Sequence, residues 1–311
     1  MQCFNIRVKN GLVGTSVVIS TYSKDRLKDL LECIRSLRKQ FVKPDEIIIV
    51  LDPVPDLFEF YKSKLGKDVR VVISQSPGLS NARNAGVRSA RGEIICFIDD
   101  DAVADKNWLR NLVKRYEDTN VVGVGGMVKP FWKCGLPSWF PEELNWVVGC
   151  SYDGLPNHKV RVRNPTGCNM SFRRSVFEKS GYFRSDVGRV GKQLLAAEES
   201  ELASRIFAKI QRAKIVYEPL AVVHHKVSKQ RASLKYLWTR SFYEGLSRAM
   251  ICDKIIPSMK VSSEASYLKH YILIAIPMRL KRFFKFKELG KLLTLMLSLF
   301  AVMLGFVAGK L

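Results

Sequence analysis

The sequence predicts an α/β protein built on a mostly parallel sheet, with helices covering both faces of that sheet. Short apolar runs, rich in β-branched residues, occur at residues 15–20, 46–51, 69–74 and 93–98. Segments with apolar residues at helical spacing lie between these runs. Strands that are apolar along their whole length are typical of parallel sheets buried on both faces.

The helical segments follow the strands in order. Leucines and Ile34 between Leu27 and Leu37 repeat at helical spacing, and further helices are expected at 79–90 and around Trp108 to Tyr116. After a strand at 121–128, residues 129–165 are rich in Pro, Gly and Trp and lack periodicity, so this segment is expected to pack on the surface or contact a ligand. The pattern then predicts a strand at 168–173, a helix at 199–210, a strand at 221–224 and a helix at 232–252.

The charge balance points to an anionic partner. The chain has 51 Lys and Arg residues against 29 Asp and Glu residues, a formal net charge of +22. Nucleic acid, anionic lipid headgroups and a phosphorylated substrate all fit this excess of positive charge. The seven cysteines are scattered without a C-x-x-C pair, which argues against a zinc ribbon or a disulfide framework.

The C-terminal region predicts a membrane-associated segment. Residues 292–309 contain no charged side chain and are long enough for a membrane-spanning helix. A basic cluster precedes them and favours the cytoplasmic side and anionic headgroups: Arg279, Lys281, Arg282, Lys285, Lys287 and Lys291. The alternative is a buried core helix. The expected organisation is an α/β domain (1–255), a basic juxtamembrane segment (256–291) and a transmembrane helix (292–309).

Polar side chains follow three of the predicted strands. Thr21 and Tyr22 end the first strand, Asp52 ends the second, and the triplet 99–101 (Asp-Asp-Asp) ends the fourth. Because ligands of open α/β sheets bind beyond the carboxyl ends of the strands, these groups are expected to share one site. Adjacent carboxylates suit a hard divalent cation. The alternative for the triplet is an acidic loop that caps the next helix.

The segment Gly78 to Gly86 opens a helix directly after the third strand. Its backbone amides, with Arg83 and Asn84, suit a phosphate or another polarised group of a nucleotide. The alternative is an ordinary helix start with Ser80 as the cap.

Two further pairs are candidates for catalysis and metal binding. Glu198 or Glu199 is a candidate general base, and the adjacent side chains are expected to point in different directions. Acidic residues also favour helix N-termini, which is the alternative interpretation. Of His224 and His225, only one can face a site from a strand, and that histidine would complete a metal shell.

These motifs, in this order, resemble the family 2 glycosyltransferases of GT-A fold, over approximately residues 13–250. The resemblance implies a single Rossmann-like domain and inverting transfer of a sugar from a UDP- or GDP-sugar with Mn²⁺ or Mg²⁺. It implies that Glu199 is the base and that Asp101 binds the metal with His224 or His225. The residues implied to contact the donor are Thr21, Tyr22, Asp52, Arg83, Asn84, Asp99, Asp100 and Asn169.

The resemblance also suggests an acceptor and a location. Residues 224–248 resemble those of prokaryotic and archaeal relatives that extend glycans on polyprenyl or dolichyl phosphate, so we expect a cell-membrane protein with its catalytic domain on the cytoplasmic side. Candidates for the acceptor phosphate are Lys226, Lys229, Arg231 and Arg240, unless these form a solvated basic face. The alternatives are a glycosyltransferase of polysaccharides or cell-surface glycans, and a basic nucleic-acid-binding protein. The sequence contains no helix-turn-helix, zinc-finger or ribonucleoprotein motif, so nucleic acid is not the expected partner.

Overall fold

The computed structural model describes residues 7–8, 11–12, 14–186, 198–252, 271–281, 284 and 286–311. The strands are β1 (Arg7–Val8), β2 (Gly11–Leu12), β3 (Thr15–Thr21), β4 (Glu46–Leu51), β5 (Val69–Ile73), β6 (Ile94–Ile98), β7 (Ala102–Ala104), β8 (Val121–Trp132), β9 (Val160–Arg161), β10 (Asn169–Arg173) and β11 (Lys214–Val227). The helices are α1 (Leu27–Arg38), α2 (Leu57–Lys64), α3 (Leu79–Ser89), α4 (Trp108–Lys114), α5 (Arg174–Ser180), α6 (Glu198–Lys209), α7 (Leu234–Cys252), a short helix Ile276–Leu280 and the C-terminal helix Phe286–Ala308.

Nine of the described strands form one sheet. Its order is β5-β4-β3-β6-β10-β8-β11-β7, and β9 pairs with β11 at the side. The β5-β4-β3-β6 half is parallel throughout. β10 runs antiparallel to both β6 and β8, whereas β11 is parallel to β8. The predicted α/β class with a mostly parallel sheet is confirmed, and the antiparallel pairings are concentrated in the second half.

Helices cover both faces of the sheet, as predicted. Along β3, Val17 and Ile19 pack in one hydrophobic cluster with Leu30 of α1. The intervening Val18 packs in a second cluster with Val87 of α3. Because successive strand residues point to opposite faces, this alternation shows that the central strand is buried on both sides.

The structure extends several predicted elements. β11 spans fourteen residues, whereas the sequence predicted a strand only at 221–224. Its first half contains Glu218 and Pro219, which interrupt the apolar pattern, and the register with β8 shifts between Glu218 and Val222. Helices α2 and α5 and the short strand β7 were not predicted.

The Pro-, Gly- and Trp-rich segment packs on the domain. β8 continues to Trp132, and the segment then includes the 3₁₀-helical stretch Glu142–Val148 and β9. Phe140, Leu144 and Val147 are buried in the larger hydrophobic cluster. The expected packing is therefore confirmed.

The C-terminal helix lies along α7. Ser241 and Ser298 face each other with their hydroxyl oxygens 2.8 Å apart, and a Cβ at Gly305 would overlap the Phe242 carbonyl oxygen. Within the described residues, Lys287–Ala308 is long and apolar enough to cross a membrane, and a third of its most apolar window is buried. That this helix spans a membrane stays a prediction.

The segment before the C-terminal helix differs from the expectation. Arg279, predicted to face lipid headgroups, is buried and donates to Glu143 and Glu288 at 2.6 and 2.7 Å. A buried guanidinium requires anionic partners, and these ion pairs supply them. The pair with Glu143 holds this region against the α/β domain. Of the predicted juxtamembrane segment, residues 256–270, 282–283 and 285 lie outside the described residues.

Candidate active site

The acidic triplet forms the connection between two strands. Asp99, Asp100 and Asp101 lie between β6 and β7, so the next element is a strand and the helix-cap alternative is wrong. β7 pairs with β11 in a register that sets Ala102 opposite His225. This pairing brings the histidine beside the triplet.

Arg26 neutralises much of the triplet's negative charge. Its guanidinium donates to Asp100 at 2.6 and 3.1 Å and to Asp101 Oδ2 at 2.8 Å. Burial raises the pKa of Asp100 to about 6, although Arg26 acts in the opposite direction. Such close carboxylates need a positive partner because each desolvated charge destabilises the other.

His225 is the histidine that reaches the triplet. Its Nε2 atom lies 3.2 Å from Asp101 Oδ1, and both side chains are almost fully buried. Burial alone would lower the pKa of His225, but Asp101 raises it to about 10. His224 lies on the other side of β11, partly exposed, with Nε2 3.0 Å from Asp105 Oδ1.

The residues around the triplet fit a divalent cation. Asp101 Oδ1 is buried and, apart from its ion pair with His225, has no hydrogen-bond partner within the described structure. Ligand atoms of Asp99, Cys168 and His225 lie within 4.8 Å of one another. The Cys168 thiol is a soft ligand, which Mn²⁺ disfavours. Carboxylate oxygens and an imidazole remain, a set that suits Mn²⁺.

The candidate bases meet at one arginine. The Arg83 Nη1 atom donates to Glu198 Oε1 at 3.2 Å and to Glu199 Oε1 at 3.0 Å. The expectation that the two carboxylates diverge is wrong, because both reach the same nitrogen from the first turn of α6. They are not equivalent, since the Glu199 side chain is 14% exposed and that of Glu198 only 3%. Burial and the neighbouring Glu198 raise the pKa of Glu199 to about 7.

The other strand ends lie at the same edge of the sheet. The Gly78 amide donates to both Asp52 oxygens at 3.4 Å, and burial raises the pKa of Asp52. Gly78 caps α3 with a φ of 112°, a conformation that glycine adopts readily. Ser80 lies inside the helix, so the alternative in which Ser80 caps it is wrong.

Thr21 and Tyr22 flank the Arg26 region. Thr21 is buried with a hydroxyl that has no hydrogen-bond partner among the described residues, and Tyr22 is 61% exposed. The Arg26 guanidinium lies 5.7 Å from the centre of the Tyr22 ring. The Tyr22 ring is therefore accessible to a ligand at this edge of the sheet. Its contact with a nucleobase stays a prediction.

Two residues that were predicted to contact the sugar donor use their side-chain amides for hydrogen bonds within the fold. Asn84 exchanges hydrogen bonds of 2.8 and 2.9 Å with the Phe183 backbone. Asn169 donates to the Met127 and Ala221 carbonyls and accepts from the Trp108 indole. These contacts fix the position of strands and helices around the site, and a direct role toward a donor stays a prediction for both.

A cavity of about 610 Å³ brings together some of the predicted site residues, whereas Asp52, Asp101 and Asn169 are not part of its lining. Its walls include Arg83, Asp99, Glu198, Glu199 and His225, and also Ser298, Leu299 and Val302 of the C-terminal helix. The sequence did not predict that this helix reaches the cavity.

The basic residues proposed for the acceptor are separated by the fold. Arg231 and Arg240 line the cavity, and Arg231 Nη1 lies 3.2 Å from His225 Nε2. Lys226 is buried and paired with Asp29 at 2.8 Å and with Glu32, so its prediction as a phosphate ligand is wrong. Lys229 is exposed.

An open α/β sheet with polar groups and a cavity beyond the carboxyl ends of its strands is typical of nucleotide-binding α/β proteins. The sequence model of "Glycosyl transferase family 2" matches residues 16–181. The chain belongs to this family and is a glycosyltransferase.

One curated relative and two solved structures are similar to this chain. The glucosyl-dolichyl phosphate glucuronosyltransferase of Haloferax volcanii is 33% identical over 95% of this chain and 96% of its own length. The structure of a mannosyltransferase from Pyrobaculum calidifontis with GDP-Man and Mn²⁺ has a TM-score of 0.62 at 17% identity, over 99% of this chain and 90% of the other. The structure of GalNAc-T7 with UDP, GalNAc and Mn²⁺ has a TM-score of 0.54 at 16% identity, over 84% of this chain and 55% of the other. The two structures establish the GT-A fold.

Proposed function

We propose that this chain transfers a sugar from a UDP- or GDP-sugar, with inversion, to a glycan carried on a lipid phosphate. The observation that carries the proposal is a cavity lined both by Asp99, Glu199 and His225 and by residues of the C-terminal helix. The relative in Haloferax volcanii is named for a dolichyl phosphate substrate and is similar over nearly its whole length, which supports this acceptor class.

The donor would be held at the acidic triplet. Asp99, Asp101 and His225 are the residues that would bind Mn²⁺ or Mg²⁺, which when bound would neutralise negative charge on the diphosphate leaving group. Arg26 keeps Asp100 and Asp101 in place. Tyr22, Thr21 and Asp52 lie at the neighbouring strand ends, where a nucleobase and ribose would bind.

Glu199 would act as the general base. Its carboxylate would accept the proton of an acceptor hydroxyl, whose oxygen attacks the anomeric carbon as the nucleoside diphosphate leaves from the opposite side. A pKa of about 7 suits a base that must accept a proton near neutral pH. Arg83 would orient the carboxylate through its 3.0 Å hydrogen bond, with Glu198 bracing the guanidinium from the buried side.

The membrane location follows from the acceptor. A lipid-linked glycan is presented at a bilayer, and the net charge of +22 and the apolar C-terminal helix suit an anionic cytoplasmic membrane surface. We therefore expect the catalytic domain on the cytoplasmic side, where nucleotide-sugars would be available to the cavity.

The test is a transfer assay with the full-length protein in detergent and Mn²⁺. UDP- and GDP-sugars are combined with a glycosylated polyprenyl phosphate, a bare polyprenyl phosphate or a lipid-free oligosaccharide, and products are identified by mass spectrometry and NMR. We expect transfer to the glycosylated lipid phosphate with inverted anomeric configuration. Equal transfer to the lipid-free oligosaccharide would contradict the acceptor class, and retained configuration would contradict the role of Glu199.

A further inference from the structure

The wall of the cavity formed by α7 carries a group of charged side chains. Glu244 lies between Arg240, at 2.9 Å, and Arg248, at 2.7 Å, one helical turn to each side. Arg163, from the loop before β10, lines the same cavity and donates to Ser200 at 3.3 Å. We call Arg163, Arg240 and Arg248 the arginine cluster.

The arginine cluster contains a buried hydrogen-bond donor that has no acceptor. Arg240 Nη1 is a buried nitrogen without a hydrogen-bond partner in the described part of the chain. Arg240 is 8% exposed and lines the cavity. Burial and the nearby Arg248 lower the pKa of Arg163 to about 10. A buried guanidinium nitrogen needs an acceptor, so an anion that enters the cavity can accept a hydrogen bond from Arg240 Nη1.

The surroundings of the arginine cluster combine a polar cavity with an apolar helix. Ser298, Leu299 and Val302 of the C-terminal helix line the cavity beside α7. Other positions of that helix expose large apolar side chains outside the protein: Leu293, Met296, Phe300, Met303 and Val307. An anion that also carries a hydrocarbon chain matches both environments, whereas a free inorganic anion uses only the first.

We propose that the arginine cluster binds the phosphate of the acceptor lipid, whose hydrocarbon chain leaves the cavity along the C-terminal helix. This inference rests on the proposed function and assigns the acceptor's phosphate to residues of α7 and of the loop before β10, whereas the donor is assigned to the acidic triplet between β6 and β7. A phosphate bound there would hold the glycan it carries between the arginine cluster and Glu199. Arg240 supplies an unengaged donor, and guanidinium groups suit phosphate because they can donate two parallel hydrogen bonds.

The experiment measures equilibrium binding of farnesyl phosphate to the full-length protein in detergent, with farnesol and inorganic phosphate as comparison ligands. We expect farnesyl phosphate to bind at least about tenfold more tightly than either, since only it offers both the charge and the chain. Arg240→Gln and Arg163→Gln are each expected to weaken its binding by about tenfold or more. Lys235→Gln removes an exposed charge from the same helix and is the matched control, with unchanged binding expected.

Binding of UDP- and GDP-sugars with Mn²⁺ is measured on the same variants. Unchanged donor binding with weakened farnesyl phosphate binding supports the assignment. Three results would overturn it: inorganic phosphate binding as tightly as farnesyl phosphate, both arginine variants binding it like the unmodified chain, or donor affinity falling as much as farnesyl phosphate affinity. If farnesyl phosphate binds as expected but no sugar is transferred to any acceptor, the proposed function fails while the phosphate site stands.

Discussion

His225 and Asp101, which are far apart in the chain, approach to 3.2 Å because the short strand β7 pairs with β11. The two buried side chains define the corner at which a divalent cation is proposed to bind. If Asp101 is a ligand there, Asp101→Asn should abolish the effect of Mn²⁺ on donor binding, because an amide supplies no negative charge. Calorimetry with UDP- and GDP-sugars, with and without Mn²⁺, measures this effect.

Asp105→Asn is the control for this prediction. Asp105 is exposed and pairs with His224 outside the cavity, so its loss should leave metal-dependent binding intact. Metal-dependent donor binding that persists in Asp101→Asn would remove Asp101 from the metal site.

Arg26 makes a second prediction about the same corner. Arg26→Gln leaves Asp100 buried without its cation and removes one of the two cations paired with Asp101, which should lower the free energy of unfolding by about 3 kcal/mol in metal-free buffer. Mn²⁺ should restore more stability to this variant than to the unmodified protein, since it supplies the missing positive charge. Thermal unfolding with and without Mn²⁺ tests the expectation, and equal stabilisation of both proteins by Mn²⁺ would refute it.

The proposed base predicts a large kinetic effect. Glu199→Gln should reduce kcat by about a hundredfold or more while donor affinity changes little, because the carboxylate acts on the acceptor proton. Glu201→Gln is the control on the same helix. It removes the ion pair between Glu201 and Arg205, which lies one turn further along α6, and should retain most activity. Comparable losses in both variants would indicate that α6 has been perturbed and that Glu199 has no special role.

The pKa of Glu199 sets the expected pH dependence. Because the base must be deprotonated, kcat/KM should fall about tenfold per pH unit below pH 7 and level off above it. The titration of Glu199 also affects stability, which should decrease over the pH range in which activity rises. The folded protein keeps this proton to about pH 7, whereas an unfolded glutamate releases it near 4.5, so this contribution to stability decreases as pH rises between these values.

Measuring both profiles checks the assignment. Glu199→Gln should lack this contribution to the pH dependence of unfolding. A kcat/KM profile without an acid limb between pH 5 and 8 would argue against Glu199 as the base of the free enzyme.

The packing of the C-terminal helix can be tested by comparing alanine substitutions at two of its glycines. Gly305→Ala should loosen the helix from α7, since the added methyl group overlaps the Phe242 carbonyl, and should lower both thermal stability and transfer activity. Gly290→Ala places its methyl group at an ordinary contact distance of 3.7 Å from Trp139 and should be neutral or stabilising by up to about 1 kcal/mol. Identical behaviour of the two variants would show that the helix does not depend on this contact.

The parallel half of the sheet was predictable because its signal is local. β3, β4 and β6 are short, apolar and bounded by polar residues, so each run alone indicates a buried strand. β11 was recognised only in part because Glu218 lies within it. That carboxylate is buried and paired with Arg115, a partner that the local pattern does not reveal.

Candidate site residues could be predicted where polar side chains directly follow a strand or begin a helix. Asp101 and Glu199 were singled out in this way, and the choice between His224 and His225 required the register of β7 with β11. Arg163 and Arg248 were not distinguished from the other basic residues, because only the folded chain brings them to one cavity. The four-residue spacing of Arg240, Glu244 and Arg248 was a usable signal, since it sets them on one helix face.

The C-terminal helix forms part of the cavity wall through Ser298, Leu299 and Val302, so its expected role extends beyond attachment to a membrane. A truncation that ends before Phe286, made to obtain a water-soluble catalytic fragment, would open the cavity to solvent on that side. Such a fragment should still bind nucleotide-sugar at the acidic turn, yet transfer sugar poorly even to an acceptor supplied in free solution. Reattaching the fragment to a membrane by an unrelated tether would not restore its activity, because the missing part is a wall of the active site.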